Sequence, residues 1–218
     1  MEPGSKSKRK ERQGSGVATA LILLLYAFLL FLPGCMPSTK TQTPLVEQSR
    51  KQWEKERLKS LLSVEKINRK DMAFLLAYYL DDLAPFFEKN PLVYSVPEGV
   101  ADDTKGLKEK IYIDRVLSMG WMRNFPDGRF YPLDELRRFQ LAIILHRVSE
   151  NLPFLDDKEL KDFEIKDVPY SDYTHKVIAF AVGNGFLKLE DGYFLKDKNV
   201  TGYEAARSLS VFRKKLKK

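Results

Sequence analysis

Cysteine and histidine are almost missing from this chain of 218 residues, which contains one cysteine, Cys35, and two histidines, His146 and His175. A single cysteine excludes a disulfide within the chain, so the fold must be stabilised by packing. The two histidines are far apart in sequence, and neither has a cysteine or a second histidine at ligand spacing. We therefore expect no metal site.

Catalytic motifs are missing as well. The sequence contains no Gly-x-Ser-x-Gly nucleophile turn, no Walker-type phosphate loop and no zinc-hydrolase spacing. Adjacent carboxylates occur at positions 81–82, 102–103 and 156–157, but such pairs are typical of solvated loops and helix ends. We predict that the protein is not an enzyme and that it uses no cofactor.

A long apolar run lies near the N-terminus. Residues 17–32 are apolar except for Thr19, and they follow five basic residues, Lys6, Lys8, Arg9, Lys10 and Arg12. A basic start, an apolar segment and a small residue are typical of an export signal. The segment resembles a bacterial lipoprotein signal peptide that ends at Leu32-Pro33-Gly34, which implies that Cys35 carries the lipid. The alternative is an uncleaved membrane anchor, although a comfortable span needs about 20 residues.

The resemblance divides the chain into a signal peptide (1–34), a lipid-anchored flexible tether (35–44) and a folded region (45–218). Removing the leader lowers the net charge from +7 to +4, because the leader holds five basic and two acidic residues. The basic C-terminal tail is either a solvated helix end or a contact for anionic lipid or an acidic polymer. We expect an exported protein, anchored in the cell membrane or outer membrane and facing the periplasm or cell exterior, without a nucleic-acid partner.

Three segments of the folded region align with one another. They are Ile67–Ala73, Leu136–Ala142 and Val200–Ala206, which start 69 and 64 residues apart. Each begins with an aliphatic residue and leads into an apolar helical stretch, and we call it the helix-start motif. Repeats with such a period bury their apolar faces against one another. The pattern predicts a mainly α fold with repeats near residues 63–90 (truncated), 98–150 and 163–218.

The second and third copies also match upstream of the motif. Gly120 pairs with Gly185, Asp127-Gly128 pairs with Asp191-Gly192, and Val100–Asp103 pairs with Lys166–Pro169. Each copy is predicted to have a first helix that ends near the first glycine and a tight turn at the second. In the second copy, the first helix is lined by Ile111, Ile113, Val116 and Leu117. The helix at 69–83 is apolar on nearly all sides and is predicted to be central, with an amphipathic helix at 46–62 docked beside it.

These copies resemble S-layer homology repeats, most closely in the turn Phe125-Pro126-Asp127-Gly128-Arg129-Phe130-Tyr131-Pro132 and in Asp167-Val168-Pro169. The resemblance covers roughly Ile67 to Leu216. It implies about two and a half helix–turn–helix repeats, packed as a pseudo-threefold body, that bind anionic cell-wall polysaccharide in the grooves between them. It also implies that the arginines of the helix-start motif, Arg69 and Arg138, contact the polymer, whereas the third copy has Gly202 there.

Structural roles compete with these functional ones. Thr201 and Glu204 have the spacing of a helix-capping box, and Asn68 with Asp71 is a weaker version of it. Trp121 either stacks on a sugar face or packs in the core. The leading hypothesis is a lipid-anchored tether between a membrane and a wall polysaccharide or peptidoglycan-associated polymer. The alternative is an accessory lipoprotein that binds another envelope protein through the Trp53 helix or the basic tail.

The lipoprotein hypothesis predicts that Cys35→Ser abolishes lipid labelling and leaves an uncleaved precursor of higher mass. The reason is that the cysteine is the only residue of the segment able to carry a thioether-linked lipid. Metabolic labelling with a fatty-acid analogue, followed by gel electrophoresis, measures both effects. A variant that is processed and extracted like the wild type would show that cleavage occurs at a different site.

Overall fold

The computed structural model describes residues 44–89, 101–150, 152 and 164–216. The chain separates after Glu47 into two compact units, Met1–Glu47 and Gln48–Lys218. The predicted signal peptide, the predicted lipidation site Cys35 and residues 36–43 of the predicted tether lie outside the described residues. Among the helices that are described, none is long and apolar enough to span a membrane.

Helices form most of the regular structure in these ranges, and β-structure there is limited to isolated bridges between single residues. The prediction of a mainly α fold is confirmed. The α-helices are α1 (Pro44–Leu61), α2 (Arg69–Leu80), α3 (Ala84–Lys89), α4 (Lys110–Ser118), α5 (Arg138–Ser149), α6 (His175–Gly183) and α7 (Gly202–Leu216). Short 3-10 turns cover Asp81–Leu83 and Asp102–Thr104.

Helix α2 is central, as its almost uninterrupted apolar sequence predicts. Met72–Ala77 and Leu80 are buried, and the helix packs against both α4 and α7. A complete capping box fixes its start. The Asn68 side chain accepts the Asp71 N–H, and the Asp71 carboxylate accepts the Asn68 N–H, so two backbone donors at the helix end are satisfied. The helix ends at Leu80 rather than at the predicted Leu83, because the chain tightens there into a 3-10 turn.

Trp53 and Arg57 are among the side chains through which helix α1 docks on α2 and α4. The Trp53 ring stacks on Tyr112, with ring centres 5.8 Å apart, and meets the Phe74 ring edge-on at 5.6 Å. The Arg57 guanidinium lies 2.5 Å from the Asp71 carboxylate at the start of α2. The predicted docking of this amphipathic helix on the element that follows it is therefore confirmed.

Glycines end α4 and α6 and shape the turns that follow. Gly120 and Gly185, each just beyond a helix C-terminus, have φ of +73°. Gly128 and Gly192 have φ of +82° and +88° in the next turn. Residues with a Cβ are strained in this region, which explains why the two stretches share glycines at matched positions.

A half-buried carboxylate holds each of these turns against the start of its own segment. The N–H groups of Phe130 and Tyr131 donate to the two oxygens of Asp103, at 3.0 and 2.7 Å. Asp167 accepts in the same way, at 2.7 Å, from the N–H groups 27 and 28 residues after it. Tyr131 has a φ of +53°, and we attribute the stability of this left-handed backbone to the paired hydrogen bonds.

Two details of the predicted repeat are wrong. The predicted alignment paired Asp167 with Ala101, but Asp103 makes the contacts equivalent to those of Asp167. The predicted alignment follows sequence similarity, but the carboxylate contacts show that Asp103 and Asp167 are the equivalent residues. Ile111 was predicted to line the buried face of α4, but it is 52% exposed, and Tyr112 is buried instead.

The three helix-start motifs meet in a closed ring of backbone hydrogen bonds. The Ile67 N–H donates to Val200 C=O at 3.0 Å, the Val200 N–H to Leu136 C=O at 2.9 Å, and the Leu136 N–H to Ile67 C=O at 2.9 Å. All three residues are fully buried. Each donor and acceptor of the ring is thus satisfied within it, and the starts of α2, α5 and α7 are fixed to one another.

Gly202, the third-copy counterpart of the motif arginines, is fixed by close backbone packing. Its N–H donates to Val64 C=O at 2.9 Å. A Cβ at this position would lie 1.7 Å from the carbonyl oxygen of Leu61, at the end of α1. The chain therefore leaves no room for an arginine here.

Gly128 and Gly202 are constrained in different ways, so substitutions at the two positions should lower the free energy of unfolding by different amounts. Gly128→Val should lower the free energy of unfolding by about 1–3 kcal/mol, because a β-branched residue is forced to positive φ although the surrounding space is open. Gly202→Ala should cost about 3 kcal/mol or more, because the added methyl group collides with backbone rather than with a movable side chain. Denaturant unfolding of both variants measures the difference. Equal losses, or an unchanged midpoint for Gly128→Val, would contradict this assignment.

Candidate ligand-binding groove

Arg69 lies at the first turn of α2 and reaches across to the turn of the next segment. Its Nε donates to the carbonyl oxygen of Phe130 and its Nη2 to that of Arg123, each at 2.7 Å. The guanidinium carbon lies 4.8 and 4.6 Å from the ring centres of Phe125 and Phe130. The side chain thus combines two charge-assisted hydrogen bonds with two cation–π contacts.

Arg138, at the start of α5, repeats this arrangement one segment later. Its Nη2 donates to the carbonyl oxygen of Lys188 at 2.7 Å, and its guanidinium carbon lies 4.9 Å from the ring centre of Phe194. Only 8% of Arg69 and 3% of Arg138 is exposed. Both side chains therefore help to hold the neighbouring turns in place.

The two arginines differ in their acidic neighbours. Arg138 Nη1 lies 2.5 Å from Glu204 Oε1 and 3.6 Å from Glu190 Oε1. The hydrogen bonds of Arg69 to described residues go to backbone carbonyls and not to a carboxylate. Burial lowers the pKa of Arg69 to about 10, while the charges of Asp134 and Asp103 act in the opposite direction. Arg69 is therefore a cation at neutral pH that lacks a bound counter-charge within the described structure.

A cavity of about 450 Å³ opens beside Arg69, between the turn of residues 122–126 and helix α5. We call it the Arg69 groove. Arg123 and Arg147 bring two further guanidinium groups to its lining, and Asn124 and Gln140 bring amides. The remaining walls are apolar and consist of Met122, Phe125, Pro126, Phe139, Ile143 and Ile144. An anionic group with an apolar face suits this lining, since the charge would pair with arginine and the face would contact the walls.

A second cavity, of about 480 Å³, lies between α1, α2 and α4. Three basic and three acidic side chains line it, namely Arg50, Lys51, Arg115, Glu54, Asp81 and Asp114. Because their charges balance, this cavity has no excess charge to attract an anion, and the Arg69 groove is the better candidate site.

Trp121 is a core residue and does not present a face to a sugar. It is fully buried, and its ring meets Phe87 edge-on, with ring centres 5.4 Å apart. The hypothesis of sugar stacking is therefore wrong, and the alternative of core packing holds.

The predicted capping box at Thr201 is half formed. Thr201 Oγ1 accepts the Glu204 N–H at 3.0 Å, but the Glu204 carboxylate pairs with Arg138. In the second motif, Gln140 Oε1 accepts the Arg137 N–H at 2.8 Å at the start of α5. Glu204 therefore links α7 to α5 instead of closing its own helix.

The histidines have ordinary packing roles. His175 Nδ1 lies 2.9 Å from the carbonyl oxygen of Val168, and the His146 ring meets Phe180 edge-on. Within the described residues, no group of three or more His, Cys, Asp or Glu side chains is placed to hold a metal ion.

The sequence did not predict a ligand-binding role for Arg123, Gln140 and Arg147, which are among the residues that line the groove. Gln140 and Arg147 are seven residues apart on α5, a spacing that places them on one face of a helix. Arg123 and Lys188 each follow a matched glycine by three residues, and their carbonyls bind the motif arginines. The repeated spacing was visible in the sequence, but its role depends on backbone geometry.

No protein-family model matches the chain, and no curated protein shows significant similarity to it.

The Arg138–Glu204 pair predicts a pH-dependent loss of stability for Arg138→Ala. Burial raises the pKa of Glu204, and Arg138 opposes that shift, so removing the arginine raises the pKa further. A carboxyl group whose pKa is higher in the folded state destabilises the fold as the pH rises through the interval between the two values. The loss should be about 3–5 kcal/mol near pH 7 and smaller near pH 4.

Unfolding at several pH values measures this prediction, with the double variant Arg138→Ala, Glu204→Gln as the control. The control lacks the buried carboxyl group, so its stability relative to Glu204→Gln should vary little with pH. A loss in Arg138→Ala that is the same at pH 4 and pH 7 would show that Glu204 is not held by this arginine.

Proposed function

We propose that the protein is a lipid-anchored envelope protein that tethers a membrane to an anionic cell-wall polymer. A lipid on Cys35 would hold it in the cell membrane or outer membrane, with the folded region facing the periplasm or the cell exterior. The folded region in this proposal is an S-layer-homology-like body of about two and a half repeats around a pseudo-threefold axis. Its polymer would be a wall polysaccharide or a peptidoglycan-associated polymer.

Three features of the described residues support the proposed repeats. The ring at Ile67, Leu136 and Val200 joins the three helix-start motifs through the same kind of backbone hydrogen bond. Asp103 and Asp167 hold their turns with the same pair of contacts. Helix α1 packs on α2 and α4, where the truncated first copy lacks a first helix of its own.

The observation that carries the function is the charged, buried Arg69 beside an open groove. A buried guanidinium without a bound carboxylate is costly, and an anionic ligand would lower that cost. The carboxylate of an acidic sugar is small enough for a cavity of about 450 Å³, and sugar rings contribute apolar faces for the groove walls.

The alternative is an accessory lipoprotein whose helical body binds another envelope protein. Two exposed tyrosines favour it, since Tyr170 is 65% and Tyr173 is 83% exposed on the turn before α6, and tyrosine is common in protein interfaces. Trp53 does not serve as the anchor of such an interface, because its ring packs against Phe74 and Tyr112.

The tether proposal predicts that Arg69→Ala weakens binding to purified wall fractions about ten- to a hundredfold, because a charge-assisted hydrogen bond contributes about 1.5–3 kcal/mol. Arg138→Ala is the matched control, since it removes an equally buried arginine whose charge already has a carboxylate partner. Co-sedimentation at low temperature, with folding of each variant checked by circular dichroism, measures the affinity. Added salt should weaken the wild type in the same direction.

Two results would contradict the tether. One is undiminished binding by a folded Arg69→Ala variant. The other is unchanged wild-type binding to wall fractions from which the acidic groups have been removed, which would favour the accessory-protein alternative.

A further inference from the structure

The two arginine sites have nearly the same framework but differ in charge at two matched positions. Glu190 and Glu204 face Arg138. The residues 64 positions earlier, Pro126 and Gln140, line the Arg69 groove. Both acidic residues of one site are thus replaced by neutral residues in the other.

From this difference we infer that the chain closes its own second groove: Glu204 supplies Arg138 with an internal carboxylate, whereas neutral Gln140 leaves Arg69 for the carboxylate of a ligand. Position 140/204 therefore determines which groove accepts an anion. The inference rests on the proposed function only for the identity of the natural ligand. The internal ion pair and the neutral counterpart are properties of the chain itself.

The contacts of Arg138 explain why an external anion does not compete there. Only 4% of its side chain is exposed, and 20% of that of Glu204. A ligand carboxylate would have to displace Glu204 and leave a partly buried carboxylate without a partner, which is costly. Glu190, which is 49% exposed, lies 3.6 Å from Arg138 and 2.8 Å from Lys198 Nζ, so its charge is shared between two cations.

The Arg69 site has no such close carboxylate among the described residues, although the charges of Asp134 and Asp103 act on its guanidinium. Its Nε and Nη2 are held by backbone carbonyls, so the guanidinium is already oriented, while its Nη1 makes no hydrogen bond to a described residue. Gln140 is engaged by the Arg137 N–H through its oxygen. A carboxylate entering the groove would therefore meet an oriented cation without displacing a charged group, which lowers the cost of binding.

A reciprocal exchange tests the inference. The variants are Glu204→Gln, which gives Arg138 the neighbour that Arg69 has, and Gln140→Glu, which gives Arg69 an internal carboxylate. The probe is trigalacturonate, a short chain of uronic acids, titrated at constant ionic strength into the full chain in detergent micelles. Maltotriose, which has no charge, is the control ligand. The readout is the assigned Nε–Hε NMR signals of Arg69 and Arg138.

In the wild type, trigalacturonate should shift the Arg69 signal and leave that of Arg138 unchanged. In Glu204→Gln both signals should shift, and in Gln140→Glu the affinity at Arg69 should fall at least tenfold. Glu190→Gln is the matched control. It removes a charge 3.6 Å from Arg138 but leaves the Glu204 pair intact, so the Arg138 signal should stay unchanged on titration.

The inference is wrong if the Arg138 signal does not shift in folded Glu204→Gln. It is also wrong if binding at Arg69 is undiminished in Gln140→Glu. A different outcome is that the Arg69 signal does not shift in the wild type but the Arg138 signal shifts in Glu204→Gln. Closure of the Arg138 site by Glu204 is then supported, and the proposed binding of a polymer in the Arg69 groove is contradicted. If neither arginine responds in any variant, both proposals fall.

Discussion

The three-membered ring of backbone hydrogen bonds at Ile67, Leu136 and Val200 is the constraint on which the rest of the fold depends. Its peptide groups are fully buried, so each must find a partner inside the protein or destabilise it by roughly 1–3 kcal/mol. The ring satisfies all three donors with three acceptors that come from distant parts of the chain. Without a disulfide to join those parts, the ring and the packing of α2 bring the helix starts together.

Because the ring fixes the first residue of each motif, it also fixes the surroundings of the third residue and therefore which side chain fits there. Two steps after Ile67 and Leu136, the chain is at the first turn of a helix and faces the turn of the next segment. A long cationic side chain there binds the carbonyls of that turn, as Arg69 and Arg138 do. Two steps after Val200, the end of α1 occupies the space, and glycine is required. The same backbone thus gives three different local environments.

Much of this fold could be predicted from the sequence because its signals are local. The central apolar helix, the positive-φ glycines and the docking of Trp53 follow from periodicity and turn chemistry. The contacts of Asp103 could not be predicted, since a carboxylate 27 residues from its donors has no local signature. For the same reason, sequence comparison placed Ala101 at that position.

The candidate site was harder to predict than the fold, because its character depends on charge pairing between segments. The sequence identified Arg69 and Arg138 as equivalent, and their backbone contacts are indeed similar. It did not reveal that the Glu204 carboxylate pairs with Arg138 instead of accepting the backbone N–H at the start of its own helix. A glutamate at that spacing ordinarily caps its helix. One carboxylate therefore separates a filled site from an open one. Where two parts of a chain share their backbone contacts, a single charge difference changes the surroundings of a buried arginine without a change of fold.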